Sequence, residues 1–189
     1  MANFYLALGV IFCIGIALCS AKCGQLFENK VSAADRNTIV KMHNNLRTLI
    51  SQGRVPGQPR GRNLKTMKWD DRLAKEAQRI ANNCEFQHAK VHDSRFYVGQ
   101  NLGWTGSSNK SKGTDWQGVI QRWFNEHKDF SYPNRSRGVT GHYTQVVWAD
   151  SYLIGCGFTW YRKGFWYEKL YVCNYGPGGN YIGQPPYRT

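Results

Sequence analysis

The sequence predicts an α+β fold, with helices segregated onto an antiparallel sheet. Two observations support it. Apolar residues recur at helical spacing in three segments of the first two thirds of the chain. The last fifty residues then turn to aromatic and β-branched composition and finish in Gly and Pro, as strands and their turns do. No internal repeat or second domain is evident.

Ser32 followed by Asp35 is a capping box of the S-x-x-D kind, and Ile39, Met42, Leu46 and Leu49 continue from it at helical spacing. Gly53 supplies the stop. Val55 to Asn63 holds two prolines and two glycines among basic residues and is expected to be an exposed loop. Asp70 caps a second helix, with Leu73, Ala77, Ile80 and Ala81 on one face, ending near Cys84. Asn101 to Thr114 is rich in Gly, Ser, Asn and Lys and reads as a loop. A third helix runs from about Asp115 to Lys128, burying Trp116, Val119, Ile120, Trp123 and Phe124. His142 to Trp148 reads as a strand, as do Leu153–Trp160 and Leu170–Tyr175.

Residues Met1 to Ala21 lack Asp, Glu, Lys and Arg, and Phe4 to Leu18 is nearly all apolar. This stretch is short for a membrane span and is followed by small residues, the layout of a signal peptide cleaved after Ala21. The expectation is a secreted protein with one domain over residues 22–189, and nothing downstream is apolar enough to span a membrane. The signal removes Cys13 and Cys19. Cys23, Cys84, Cys156 and Cys173 remain, an even number that suggests two disulfides with three possible connectivities. If the last two strand runs pair antiparallel, their cysteines are equidistant from a turn at Gly164-Phe165. That places Cys156 opposite Cys173, within disulfide reach, and leaves Cys23 for Cys84 by elimination.

The formal charge is +13. No acid lies between Asp35 and Asp70, whereas Arg36, Lys41, Arg47, Arg54, Arg60, Arg62, Lys65 and Lys68 do. Such a field attracts polyanions, either glycosaminoglycans or anionic lipid surfaces, and secretion argues against nucleic acid. Arg54, Arg60, Arg62, Lys65 and Lys68 are the candidates for that contact; a charge spread for solubility is the competing explanation. Two N-x-S sequons, at Asn109 and Asn134, fall in expected loops.

Two blocks stand out near the C-terminus: Gly141-His-Tyr-Thr-Gln-Val-Val-Trp148 and Tyr171-Val-Cys-Asn-Tyr-Gly-Pro-Gly-Gly-Asn-Tyr181. Upstream stand His43-Asn-Asn-Leu-Arg47, Gly99-Gln-Asn-Leu-Gly-Trp104 and Arg122-Trp-Phe-Asn-Glu126. Together they resemble the motifs of the superfamily of cysteine-rich secretory proteins, insect antigen 5 and plant pathogenesis-related proteins. The antigen-5 branch is the nearest in kind, and four cysteines suggest a trimmed relative from insect saliva or venom. The resemblance implies a three-layer α-β-α sandwich with an antiparallel central sheet and a cleft. It also implies a short helix, rather than a strand, over His142–Trp148.

In the family the cleft holds two histidines and two acids. Carried over, these positions are His88, His142 and Glu126, with Gln100 where the family usually has Glu. Two imidazoles can hold Zn²⁺ or Cu²⁺, and a nearby carboxylate can orient bound water. Gln100 cannot accept a proton or neutralise a cation, which removes one candidate base. A two-histidine site should hold metal weakly, and a satisfied polar network is the alternative role for the same residues. His43 is expected to pack and hydrogen-bond; His92 and His127 are expected at the surface.

Three functions follow. The first is a non-enzymatic extracellular protein binding a small hydrophobic molecule or lipid, as some members of the superfamily do, in a groove lined from seven Trp, eleven Tyr and nine Phe. The second is a Zn- or Cu-dependent enzyme. The third is an effector that binds glycosaminoglycans and opposes haemostasis. No nucleophile elbow or free cysteine favours catalysis, so the first is preferred and the third is compatible with it.

Overall fold

The computed structural model describes residues 23–189, so the expected signal peptide lies outside the described residues. The elements in chain order are β1 (Gln25–Glu28), α1 (Ala33–Ser51), β2 (Lys68–Trp69), α2 (Asp71–Ala81), β3 (Gly99–Ser107) and α3 (Trp116–Asn125). A 3₁₀ turn (Glu126–Asp129) and a small ribbon of β4 (Phe130–Ser131) with β5 (Arg135–Ser136) follow. The chain ends with α4 (Gly141–Val146), β6 (Leu153–Lys163) and β7 (Trp166–Gly176).

The helices start where the capping residues place them. Ser32 Oγ accepts from the Asp35 amide while Asp35 accepts from the Ser32 amide, both at 3.1 Å. Asp70 and Asp115 likewise accept from the amides of Leu73 and Gly118. Each cap satisfies amides that have no partner within the helix.

The sheet runs β1-β6-β7-β3, with β2 adding a short parallel pairing to β6 and the other pairings antiparallel. Lys163 faces Trp166 across a Gly164-Phe165 turn, and Gly164 takes φ +61°, the left-handed region a primed turn requires. Cys156 therefore faces Cys173 and is bonded to it, while Cys23–Cys84 ties the N-terminal arm to the end of α2.

The sheet separates two cores, which gives the α-β-α sandwich. On one face, Leu102, Tyr161, Leu170 and Val172 pack against Ala77, Ile80 and Ala81 of α2. On the other, Cys156, Phe158, Tyr171 and Tyr175 meet Ile39 and Leu46 of α1, Trp116, Ile120 and Trp123 of α3, and Tyr143 of α4. Helix α2 lies directly on β6: a Cβ at Gly157 would come within 2.3 Å of the Gln78 amide nitrogen.

Two local readings of the sequence are corrected. Residues 101–107, expected as part of a loop, belong to β3, which pairs with β7 over nine rungs. Its glycines signal close packing here rather than a turn: a Cβ at Gly103 would lie 2.7 Å from Val119 Cγ1. The stretch from His142, expected as a strand from composition, forms α4 as the resemblance implies. Among the described residues no helix is long and apolar enough to cross a membrane.

Candidate functional site

The 3₁₀ turn after α3 delivers Glu126 to the start of α4. Its carboxylate accepts from the backbone amides of His142 and Tyr143, at 3.0 and 3.1 Å, and from His142 Nδ1 at 2.6 Å. A carboxylate at this place satisfies free amides and complements the positive end of the helix. With Nδ1 donating, a neutral His142 carries its lone pair on Nε2. The Trp123 ring lies 6.0 Å from the imidazole, tilted by 15°.

His88 is exposed, beyond the end of α2, and meets Gln100 on β3. Gln100 Oε1 accepts from His88 Nδ1 at 2.9 Å and from the Ala89 amide at 3.1 Å. Its Nε2 donates to the Ala89 carbonyl and to Asn174 Oδ1. His88 is thus also left with its lone pair on Nε2. A glutamate at position 100 could not supply those two donated bonds, so Gln100 is a satisfied network member. A depression of about 470 Å³ opens beside this pair, walled by Tyr97, Val91, Gln145 and Asn180.

Glu126 bonds His142 directly, and Gln100 bonds His88 directly. Among the described residues no group of three or more His, Cys, Asp or Glu could hold a metal ion. On edge strand β3 successive side chains take opposite faces. Gln100 points to the α2 side and Asn101 to the other, where Asn101 Nδ2 bonds the His142 carbonyl and the Tyr175 hydroxyl.

His43 has the packing role expected of it. It is fully buried, with Nδ1 donating to the Ile39 carbonyl and Nε2 accepting from the Tyr175 hydroxyl. Burial pushes its pKa down to about 4, against the bond to Ile39, which favours the charged form.

Two residues differ from expectation. Arg47, counted with the basic field, is buried and donates to the carbonyls of Lys65, Val146, Trp148, Ala149 and Ser151. Burial lowers its pKa to about 10, so it stays charged at neutral pH. The signal was available, since Arg47 closes the His43–Arg47 block. His127, expected at the surface, is half-buried, and its Nδ1 is enclosed without a partner. It lines a pocket of about 560 Å³ with Pro56, Gln58, Lys128, Phe130 and Arg137. Gln58 Oε1 also lacks a partner, although its Nε2 donates to the His127 and Phe130 carbonyls. The sequence reading of Val55 to Asn63 as an exposed loop gave no sign of this pocket.

Arg54, Arg60, Arg62, Lys65 and Lys68 are all exposed; Lys65 pairs with Asp150 and Arg60 bonds the Ser51 carbonyl. Asn109 and Asn134 are exposed too, with Asn134 Nδ2 donating to the Gly183 carbonyl.

Comparison with known proteins agrees with this architecture. The family model described as "CAP: Cysteine-rich secretory protein family" matches residues 40–175. The chain is 40% identical to venom allergen 5 of Rhynchium brunneum, covering 90% of this chain and 79% of that protein. It is 39% identical to salivary antigen-5 of Dipetalogaster maximus, covering 84% and 67%. Among solved structures, Schistosoma mansoni venom allergen-like protein 4 is 29% identical with a TM-score of 0.68, over 82% of this chain and 94% of that one. NaASP2, crystallised with Zn²⁺, is 26% identical with a TM-score of 0.69, over 86% and 90%. With its motifs, its three layers and its two disulfides accounted for, the chain belongs to the cysteine-rich secretory protein (CAP) family, on its antigen-5 branch.

Proposed function

We propose that this is a secreted, non-enzymatic antigen-5 protein that binds a small hydrophobic molecule bearing a polar head. The observation that carries this reading is the 560 Å³ pocket beside His127. Gln58 and His127 line it, and each holds one enclosed polar atom without a partner, Gln58 Oε1 and His127 Nδ1, that a small movement of the pocket wall would present to a ligand. Phe130 offers it an apolar wall, and Lys128 and Arg137 suit an acidic head. A non-catalytic role is supported by Glu126, which already serves three donors, and by Gln100, which cannot accept a proton. Secretion accords with two disulfides and with relatives named for venom and saliva.

Native mass spectrometry of the secreted protein should show a bound lipid-sized mass that falls away in Gln58→Leu. Ligand-free protein from its natural source would end this reading.

A second reading rests on the two imidazoles, each with Nε2 free as a lone-pair donor. His142 donates its Nδ1 proton to the Glu126 carboxylate, as metal-bound histidines usually do with a neighbouring acceptor. Weak Zn²⁺ or Cu²⁺ binding would then be lost in His142→Ala, as calorimetric titration would report. A glycosaminoglycan surface at Arg54, Arg60, Arg62, Lys65 and Lys68 is compatible with either reading, and requires heparin affinity that falls steeply with salt.

A further inference from the structure

The far end of the sheet exposes apolar side chains with no role in the pockets described. Phe165, at the apex of the β6–β7 hairpin, is 87% exposed and its neighbour Trp166 is 55% exposed. Trp104 on β3 and Leu26 on β1 are each 47% exposed. Strand register places Trp166, Trp104 and Leu26 on the same face as α2, beyond its last turn. The Trp104 ring leans toward the hairpin tip, because a Cβ at Gly106 would lie 2.8 Å from its Cη2. The four side chains thus lie along one margin of the sheet, with Leu26 and Trp104 on its two outer strands and Glu168 between them on the same face.

Arg162 and Lys163 flank this margin and are exposed. Arg162 is held in place by its bond to the Gly164 carbonyl and by the Tyr167 ring beneath it. The acid nearby, Glu168, accepts from the Trp104 indole at 3.4 Å. Aromatic rings at a projecting turn, with cations beside them, match the chemistry of a bilayer interface. There Trp partitions to the headgroup level and Lys or Arg meets anionic lipid.

We infer that the β6–β7 hairpin tip is a membrane-docking element that inserts Phe165 and Trp166 into the interface of an anionic lipid bilayer. Charge favours that occupant over a protein partner: the chain carries +13, and two of its cations stand at the margin. The tip is at the opposite end of β7 from Asn174 and Tyr175, so docking leaves the Gln100 and His142 surfaces open. The inference is independent of the small-ligand reading and uses different cations from the Arg54–Lys68 segment.

The test is sedimentation of the full secreted protein with phosphatidylcholine vesicles and with vesicles that also contain phosphatidylserine. Binding is expected only with phosphatidylserine and should weaken as salt rises. Phe165→Ser with Trp166→Ser should lower affinity about a hundredfold or more, from the lost apolar burial. Arg162→Gln or Lys163→Gln should each lower it about fivefold. Arg72→Gln with Lys75→Gln, two exposed cations on α2, should leave it unchanged. These side chains are exposed, so unchanged thermal unfolding will show that the variants are folded. Equal binding to both vesicles, undiminished binding by the Phe165/Trp166 variant, or heparin binding without vesicle binding would each overturn the inference.

Discussion

The two ends of the β6–β7 ladder treat the same residue types in opposite ways. At the Leu153–Gly176 end, polar groups are sealed in: Arg47, Gln145, Ser151 and Asn174 are all buried, and all are hydrogen-bonded. At the Lys163–Trp166 end, Arg162 and Lys163 stand in water beside exposed aromatic rings. An arginine surrounded by backbone carbonyls works as a fastener, joining the loop before β2 to the segment after α4. An arginine at a hairpin tip remains a surface charge. Residue type sets what a side chain can do, and its neighbours decide which of those things it does.

The largest expected effect tests that contrast directly. Arg47→Ala removes the guanidinium from five carbonyls, three of which have no backbone donor to fall back on, and should cost about 3–5 kcal/mol of stability, read from the denaturant midpoint. Arg162→Ala should change the same midpoint by no more than about 0.5 kcal/mol. Equal effects would erase the distinction between the two ends.

The buried end should also show a pH dependence that the tip does not. His43 has a folded pKa of about 4, below the ordinary value of 6.5. Between those values the unfolded chain binds more protons than the folded one, so stability rises with pH. The contribution is complete above about pH 6.5 and is lost as pH falls toward 4, to a limit of about 3 kcal/mol. Denaturation at pH 7 and pH 4.5 should therefore show a smaller loss in His43→Leu than in the unsubstituted chain. An identical loss would mean that His43 does not titrate in this window.

Smaller effects belong to the bonds that hold His142 and His88. Glu126→Gln keeps the shape but weakens charge-assisted bonds to α4, and should cost about 1–2 kcal/mol in thermal unfolding. Gln100→Glu leaves the Ala89 carbonyl and Asn174 Oδ1 without their donor, and should cost about 1 kcal/mol. If Gln100→Glu proves stabilising, the His88 pair is better suited to a carboxylate than its present bonds indicate.

Much of this molecule is legible in the chain because the relevant interactions are local. The Ser32–Asp35 box, the Asp70 cap and the Gly164-Phe165 turn each act over a few residues. The Cys156–Cys173 pairing follows from the turn by simple symmetry. Strand β3 was not legible, since its Gly- and Asn-rich sequence has no strand preference and becomes a strand only through nine rungs of pairing with β7. Of the candidate site, the residue identities came from motifs. Their bonding partners, Glu126 to His142 and Gln100 to His88, came from the packed structure.

The sequence by itself determined the helix starts, the hairpin, the disulfides and the family, because caps, turns and motifs are written in neighbouring residues. Only the tertiary structure decided that Arg47 is a buried fastener, that Gln58 Oε1 and His127 Nδ1 are enclosed without partners, and that apolar side chains from three strands share one margin of the sheet. Burial and partnership are properties of segments far apart in the chain, and they exist only once the layers have packed.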